Sequence, residues 1–237
     1  MTEIEHTPSL TLPQGGGGDS VARSAGDVLY KLTSWLSPAY PVGAYTYSHG
    51  LEAAIEVGSV ASPQDTGAWV SDVLEHGSGW NDALFLGAAY AAETPVDLTD
   101  IDATARAFSA SSERLMETSL LGQAFGAVTG DVWGLDLQHL TYPVAVGRAA
   151  RLQNLPLPLA TEMFLQAFLS NLVACATRLV PLGQTDAQRL IRDLTPLCAT
   201  IAAKALDVGL EDLSSTAFLA DIAAMKHETQ YSRIFRT

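Results

Sequence analysis

From Ala25 to the C-terminus the apolar residues recur at helical spacing, and no long alternating or Val/Ile-rich run of the kind a sheet needs appears. That pattern restricts the fold to helices packed on helices. It predicts an all-α, single-domain bundle of about ten helices over residues 24–237. The segment opened by Pro156-Leu157-Pro158 and running through Arg178 is the most apolar. Met163, Phe164, Ala167, Phe168, Ala174 and Cys175 spread apolar or small groups around most of its circumference, which marks it as the central buried helix. Its apolar run, 163–177, is short for a membrane span and is interrupted by Gln166, Ser170 and Asn171.

Glycine and proline punctuate the remainder. Helices are expected at Gly26–Trp35, from a Ser48 N-cap to Gly58, and at Pro63–His76, Trp80–Glu93, Asp97–Ser109, Ser111–Gly126 and Pro143–Leu152. A further stripe, Leu190 to Ala205, crosses Pro196, and a last helix covers Ser214–Lys226. Residues 1–23 combine Thr, Pro and Ser with the run Gly15 to Gly18, too little apolar surface to offset ordering entropy, and read as a flexible leader.

The net charge of −13 opposes a phosphate backbone and excludes nucleic-acid binding as a main role. No Lys or Arg lies between Lys31 and Arg106, whereas the tail carries Lys226, Arg233 and Arg236. Cys175 and Cys198 lack metal-type spacing and read as reduced core thiols. The N-terminus has neither a basic nor an apolar signal region, so a cytoplasmic location is expected, with no membrane partner.

Two distant segments concentrate recognition chemistry. Tyr40 to Glu52 and Met225 to Thr237 interleave aromatic rings with polar groups, the composition of protein–protein hot spots. In the first, Tyr45, Ser48, His49 and Glu52 are the candidates. In the second they are His227, Glu228, Tyr231, Ser232, Arg233 and Phe235. Gln184, opening a helix among amides and carboxylates, is a further candidate edge. His49 and Glu52, three apart at a helix start, suit an acid/base pair or two metal ligands, although no nucleophile, base and orienting group assemble around them. No P-loop, no His-Glu-x-x-His and no Cys-x-x-Cys occurs, so neither a nucleotide, a resident metal nor a cofactor is called for. The tail docks either on its own fold or on a partner; its aromatic content favours a partner, with ordering on binding.

Three segments, Pro41 to Glu52, Val180 to Gln188 and Met225 to Arg236, resemble the UreF family of urease accessory proteins in residues, order and spacing. The resemblance covers the chain from about Ala25 onward. It implies an all-α homodimer without catalysis of its own, which binds UreD (also called UreH) and recruits the GTPase UreG to deliver nickel to the urease apoprotein. By this resemblance Tyr45 and Arg233 stand where the family has residues tied to UreD-induced ordering, and Glu52 where an acidic position controls UreG. Readings from other classes are a small acid/base enzyme using His49 and Glu52, and a nickel-binding metallochaperone.

Overall fold

The structure, a computed structural model, describes residues 18–236. Among these residues there are ten α-helices and no strand: α1 (Gly18–Trp35), α2 (Leu51–Glu56), α3 (Pro63–His76), α4 (Ser78–Ala91), α5 (Pro95–Ala107), α6 (Ser112–Trp133), α7 (Tyr142–Leu152), α8 (Leu157–Leu179), α9 (Gln184–Leu206) and α10 (Phe218–His227). Short 3-10 turns lie at Ala44–Thr46 and Leu210–Asp212. The all-α bundle is therefore as expected. Most of the stretch read as leader, residues 1–17, lies outside the described residues, and α1 begins at Gly18, ahead of the expected Gly26.

Local chemistry sets the helix starts. Ser62 accepts a hydrogen bond from the Asp65 amide, 3.1 Å, with Pro63 in the first turn. Thr94 and Asp97 form a reciprocal capping box at the head of α5. α6 runs seven residues beyond the expected stop at Gly126. Gly126 and Gly130 sit inside it because the following loop lies directly on them: a Cβ would stand 2.6 Å from the Leu137 carbonyl oxygen and 2.7 Å from that of Leu135. Gly134, at φ 68°, ends the helix instead.

α8 is the central helix, packed on α9, α4 and α3. At 23 residues it is long and apolar enough to cross a membrane by length and composition, contrary to the expectation from the shorter apolar run, but its most apolar window is half buried inside the chain. That core position accounts for its composition. α4 packs on α7, and α6 crosses α7. Asp102 fastens the second crossing from α5: one carboxylate oxygen accepts from the Thr141 amide, 2.6 Å, the other from Arg106 Nε, 2.7 Å. Part of the acidic segment between Lys31 and Arg106 is thus spent on internal pairs and helix caps.

Candidate functional site

The segment before α2 turns sharply. Gly43 is left-handed at φ 80°, His49 at φ 52° and Gly50 at φ 75°. Gly50 is required twice, by that φ and because a Cβ there would stand 2.6 Å from the backbone nitrogen of Ala224. The close approach seats α10 on the head of α2. Ser48 is fully buried, and its Oγ accepts from the Glu52 amide at 3.3 Å. The helix N-cap itself is Gly50, so Ser48 caps from two residues upstream of the expected geometry.

Glu52 points into the fold, where it grips the C-terminal tail. Its Oε1 accepts from the Ile234 amide, 2.7 Å, and its Oε2 from the Phe235 amide, 2.9 Å. The Oε2 also faces His227 Nε2 at 3.2 Å. His227 is wholly buried, and its other ring nitrogen meets Glu113 of α6 at 2.7 Å. Arg233 closes the set through an ion pair with Glu113. Glu228 accepts from the Ser112 amide, 2.8 Å, at the head of the same helix. Phe235 is buried beneath the Arg178 guanidinium, 5.6 Å from the ring centre, and the Arg236 amide donates to the Thr46 carbonyl.

One turn further along α6 a second set begins. Glu117 meets His49 Nε2 at 3.0 Å and Arg114 Nη1 at 3.0 Å, while Arg114 Nη2 reaches Asp82 of α4 at 2.7 Å. The other nitrogen of His49 faces Ser78 Oγ at 3.3 Å, and its ring stands edge-on to Phe168. Burial pushes the Asp82 carboxyl above its usual range, with Arg114 offsetting part of the effect. Burial opposes the charge of Arg114, but Glu117 and Asp82 raise its pKa overall. Four carboxyl groups therefore face two guanidiniums and two imidazoles. Burial also holds the nearby Cys175 thiol up, at about 12.

Of the residues expected from the sequence, Ser48, Glu52, His227, Glu228, Arg233 and Phe235 fasten the first motif, α6 and the tail together. His49 and Glu52 do not form a pair: they engage separate partners. Tyr45 is half exposed and its carbonyl takes a long contact from Arg178, 3.5 Å. Tyr231 is fully exposed, and Ser232 is exposed with its carbonyl accepting from Gln230. Gln184 is exposed at the first turn of α9 and takes no part. The tail is docked on its own fold, where the sequence favoured a partner, because Glu52 and Glu113 satisfy its backbone and its Arg. Glu113, Glu117, Arg114 and Asp82 went unread. For the two glutamates the signal was the stripe Gly122, Phe125, Gly126 and Thr129, which steps back along one face of α6 to Thr118, Glu117 and Glu113. Among the described residues no group of three or more His, Cys, Asp or Glu side chains is placed to hold a metal ion.

The family model for UreF matches residues 60–195. The urease accessory protein UreF of Ruegeria pomeroyi is 62% identical over 206 residues, covering 87% of this chain and 95% of that protein. The UreF of Roseobacter denitrificans is 51% identical over 211 residues, 89% of this chain and 95% of the relative. That of Rhodopseudomonas palustris strain HaA2 is 41% identical over 238 residues, covering 95% and 100%. With the helical bundle and the matching segments, these similarities show that the chain belongs to the UreF family of urease accessory proteins.

Proposed function

We propose that this chain is a non-catalytic, cytoplasmic adaptor of urease maturation. As a homodimer it binds UreD and recruits the GTPase UreG, so that nickel reaches the urease apoprotein only within the assembled complex. Nickel is cargo in this reading, and no resident cofactor takes part. The observation that carries it is the buried polar knot of Glu52, Glu113, His227 and Arg233. Both oxygens of Glu52 and both of Glu113 are committed to holding the tail, which suits a scaffold better than a site that must bind and release substrate. The knot fixes one composite face from two segments more than 170 residues apart, and it leaves Tyr45, Tyr231 and Ile234 outward for a partner.

Light scattering on a sizing column tests the reading. The purified chain is run alone, with the cognate UreD, and with UreD plus GTP-loaded UreG. A mixed assembly that grows at each addition is expected. Arg233→Ala should weaken that growth with helicity unchanged, since Arg233 lies at the partly exposed edge of the knot. Absence of association with either partner would overturn the adaptor reading.

A further inference from the structure

Between α4, α6 and α8, with the head of α7 at one side, lies a cavity of about 40 Å³. Its wall includes Asp82, Arg114, Tyr142, Phe164, Phe168 and Asn171. The rings of Tyr142 and Phe164 stand 5.4 Å apart, centre to centre, and Phe168 closes a further side against His49. On the same wall three acceptors make no hydrogen bond among the described residues: Asp82 Oδ1, the Tyr142 hydroxyl and the side-chain oxygen of Asn171. Asp82 is only 8% exposed, and its guanidinium partner, Arg114, also serves Glu117. Burial raises the Asp82 carboxyl above its usual range. It raises the Tyr142 phenol too, with Tyr40 and Asp82 adding to the effect, so that Tyr142 faces the cavity as a neutral hydroxyl.

These features select an occupant. Three unmet acceptors call for a species with several N–H or O–H donors, because an enclosed acceptor without a partner costs stability. A carboxyl group whose cation is shared, together with aromatic faces, favours positive charge. The volume is little more than the roughly 30 Å³ that one water molecule occupies in the liquid, so the species has only a few atoms. A divalent metal would need a ligand set that no group of three His, Cys, Asp or Glu side chains provides among the described residues. We propose that this cavity binds a small monovalent cation of the ammonium type, which donates to Asp82 Oδ1, the Asn171 side-chain oxygen and the Tyr142 hydroxyl and lies against the ring of Phe164. Bound there it ties α4, α7 and α8 together at the centre of the bundle.

Urea unfolding of the full chain is the test, with choline chloride, whose cation is too large to enter, as the reference salt. Replacing choline by ammonium at constant ionic strength should raise the midpoint, more so as the concentration passes the dissociation constant. In isotopically labelled ammonium chloride the bound ion should give a proton–nitrogen correlation with nuclear Overhauser contacts to the ring protons of Phe164 and Phe168. Tyr142→Phe, which keeps the ring and loses the hydroxyl, is expected to raise the dissociation constant about tenfold, and Asp82→Asn about a hundredfold. Asp82→Asn also leaves Arg114 with Glu117 alone, so its helicity is checked, and Tyr142→Phe decides should that variant fail to fold. Tyr30→Phe, at an exposed tyrosine on α1, should leave binding unchanged. Equal midpoints in ammonium and choline, with no correlation, mean that the cavity holds water alone and overturn the site. An equal rise in potassium, which matches ammonium in size but donates no hydrogen bond, overturns the donor assignment. A rise that persists in both Tyr142→Phe and Asp82→Asn puts the ion elsewhere and overturns the proposal as well.

Discussion

Glu52 holds the tail through two consecutive backbone amides, so its role does not depend on which side chains Ile234 and Phe235 carry. Glu52→Gln keeps the shape but turns an NH2 toward one of those donors. The cost expected for the unmet pairing is about 1–3 kcal/mol. Exchange of the Ile234 and Phe235 amides, followed by hydrogen-exchange mass spectrometry, should accelerate at least about tenfold while α8 keeps its protection. Unchanged exchange would mean that the carboxylate is not the clasp. The two thiols make a separate prediction. Burial pushes Cys175 and Cys198 up to about 12, so at pH 8 only about one thiol in ten thousand is ionised, and a disulfide reagent should label neither in the native chain over minutes. In guanidinium both should react at once. The sequence already gave these cysteines as core thiols from their apolar neighbours. Glu52 and Arg233 read as recognition residues too, but their joining through His227 and Glu113 did not, because a glutamate in a helix looks the same in sequence whether it faces water or the interior.

The helices were legible wherever a start or stop had its own chemistry. α3 falls at Pro63–His76 as expected because Ser62, Pro63 and Gly77 mark both ends. α6 was misread because glycine has two uses, as a helix terminator and as a place for another backbone to come close. Its interior glycines serve the second. At Gly122 a Cβ would stand 2.0 Å from the Leu140 carbonyl oxygen, with backbone atoms of Thr141 and Tyr142 also inside 3 Å. Gly122→Ala should therefore cost about 3 kcal/mol, since backbone on both sides must move. Gly87, in the interior of α4, has nothing within 4 Å of its would-be Cβ and no positive φ. Gly87→Ala should stabilise the chain by about 0.4–1 kcal/mol through the unfolded state and helix propensity. Urea midpoints moving in opposite directions would separate close packing from mere helix propensity; a harmless Gly122→Ala would mean that the α6–α7 crossing is not tight.

At the scale of the molecule the apolar residues form two cores. One gathers Leu51, Leu74, Leu84, Leu165, Leu169, Leu172 and Phe235, with Trp69 and Trp80 packed against it. The other gathers Trp35, Phe85, Leu86, Phe125, Val144 and Phe164, with Trp133 at its side. Two helices run through both. Leu84 of α4 enters the first and Phe85 and Leu86 the second, while Phe164 and Leu165 of α8 divide in the same way. Neither core can lose its packing without displacing a helix that the other needs, so unfolding should be a single transition. Variants retaining only Trp80 or only Trp133 give each core its own fluorescence reporter. Their urea curves should coincide, and Phe85→Ala, costing about 3–5 kcal/mol, should shift both equally. Because Phe235 belongs to the first core, the same substitution should also lower the protection of the tail against global unfolding, although Phe85 lies in the other core. Two separated transitions, or a shift seen by Trp133 alone, would show that the cores act independently and that the tail is governed only by its local knot of Glu52, Glu113 and His227.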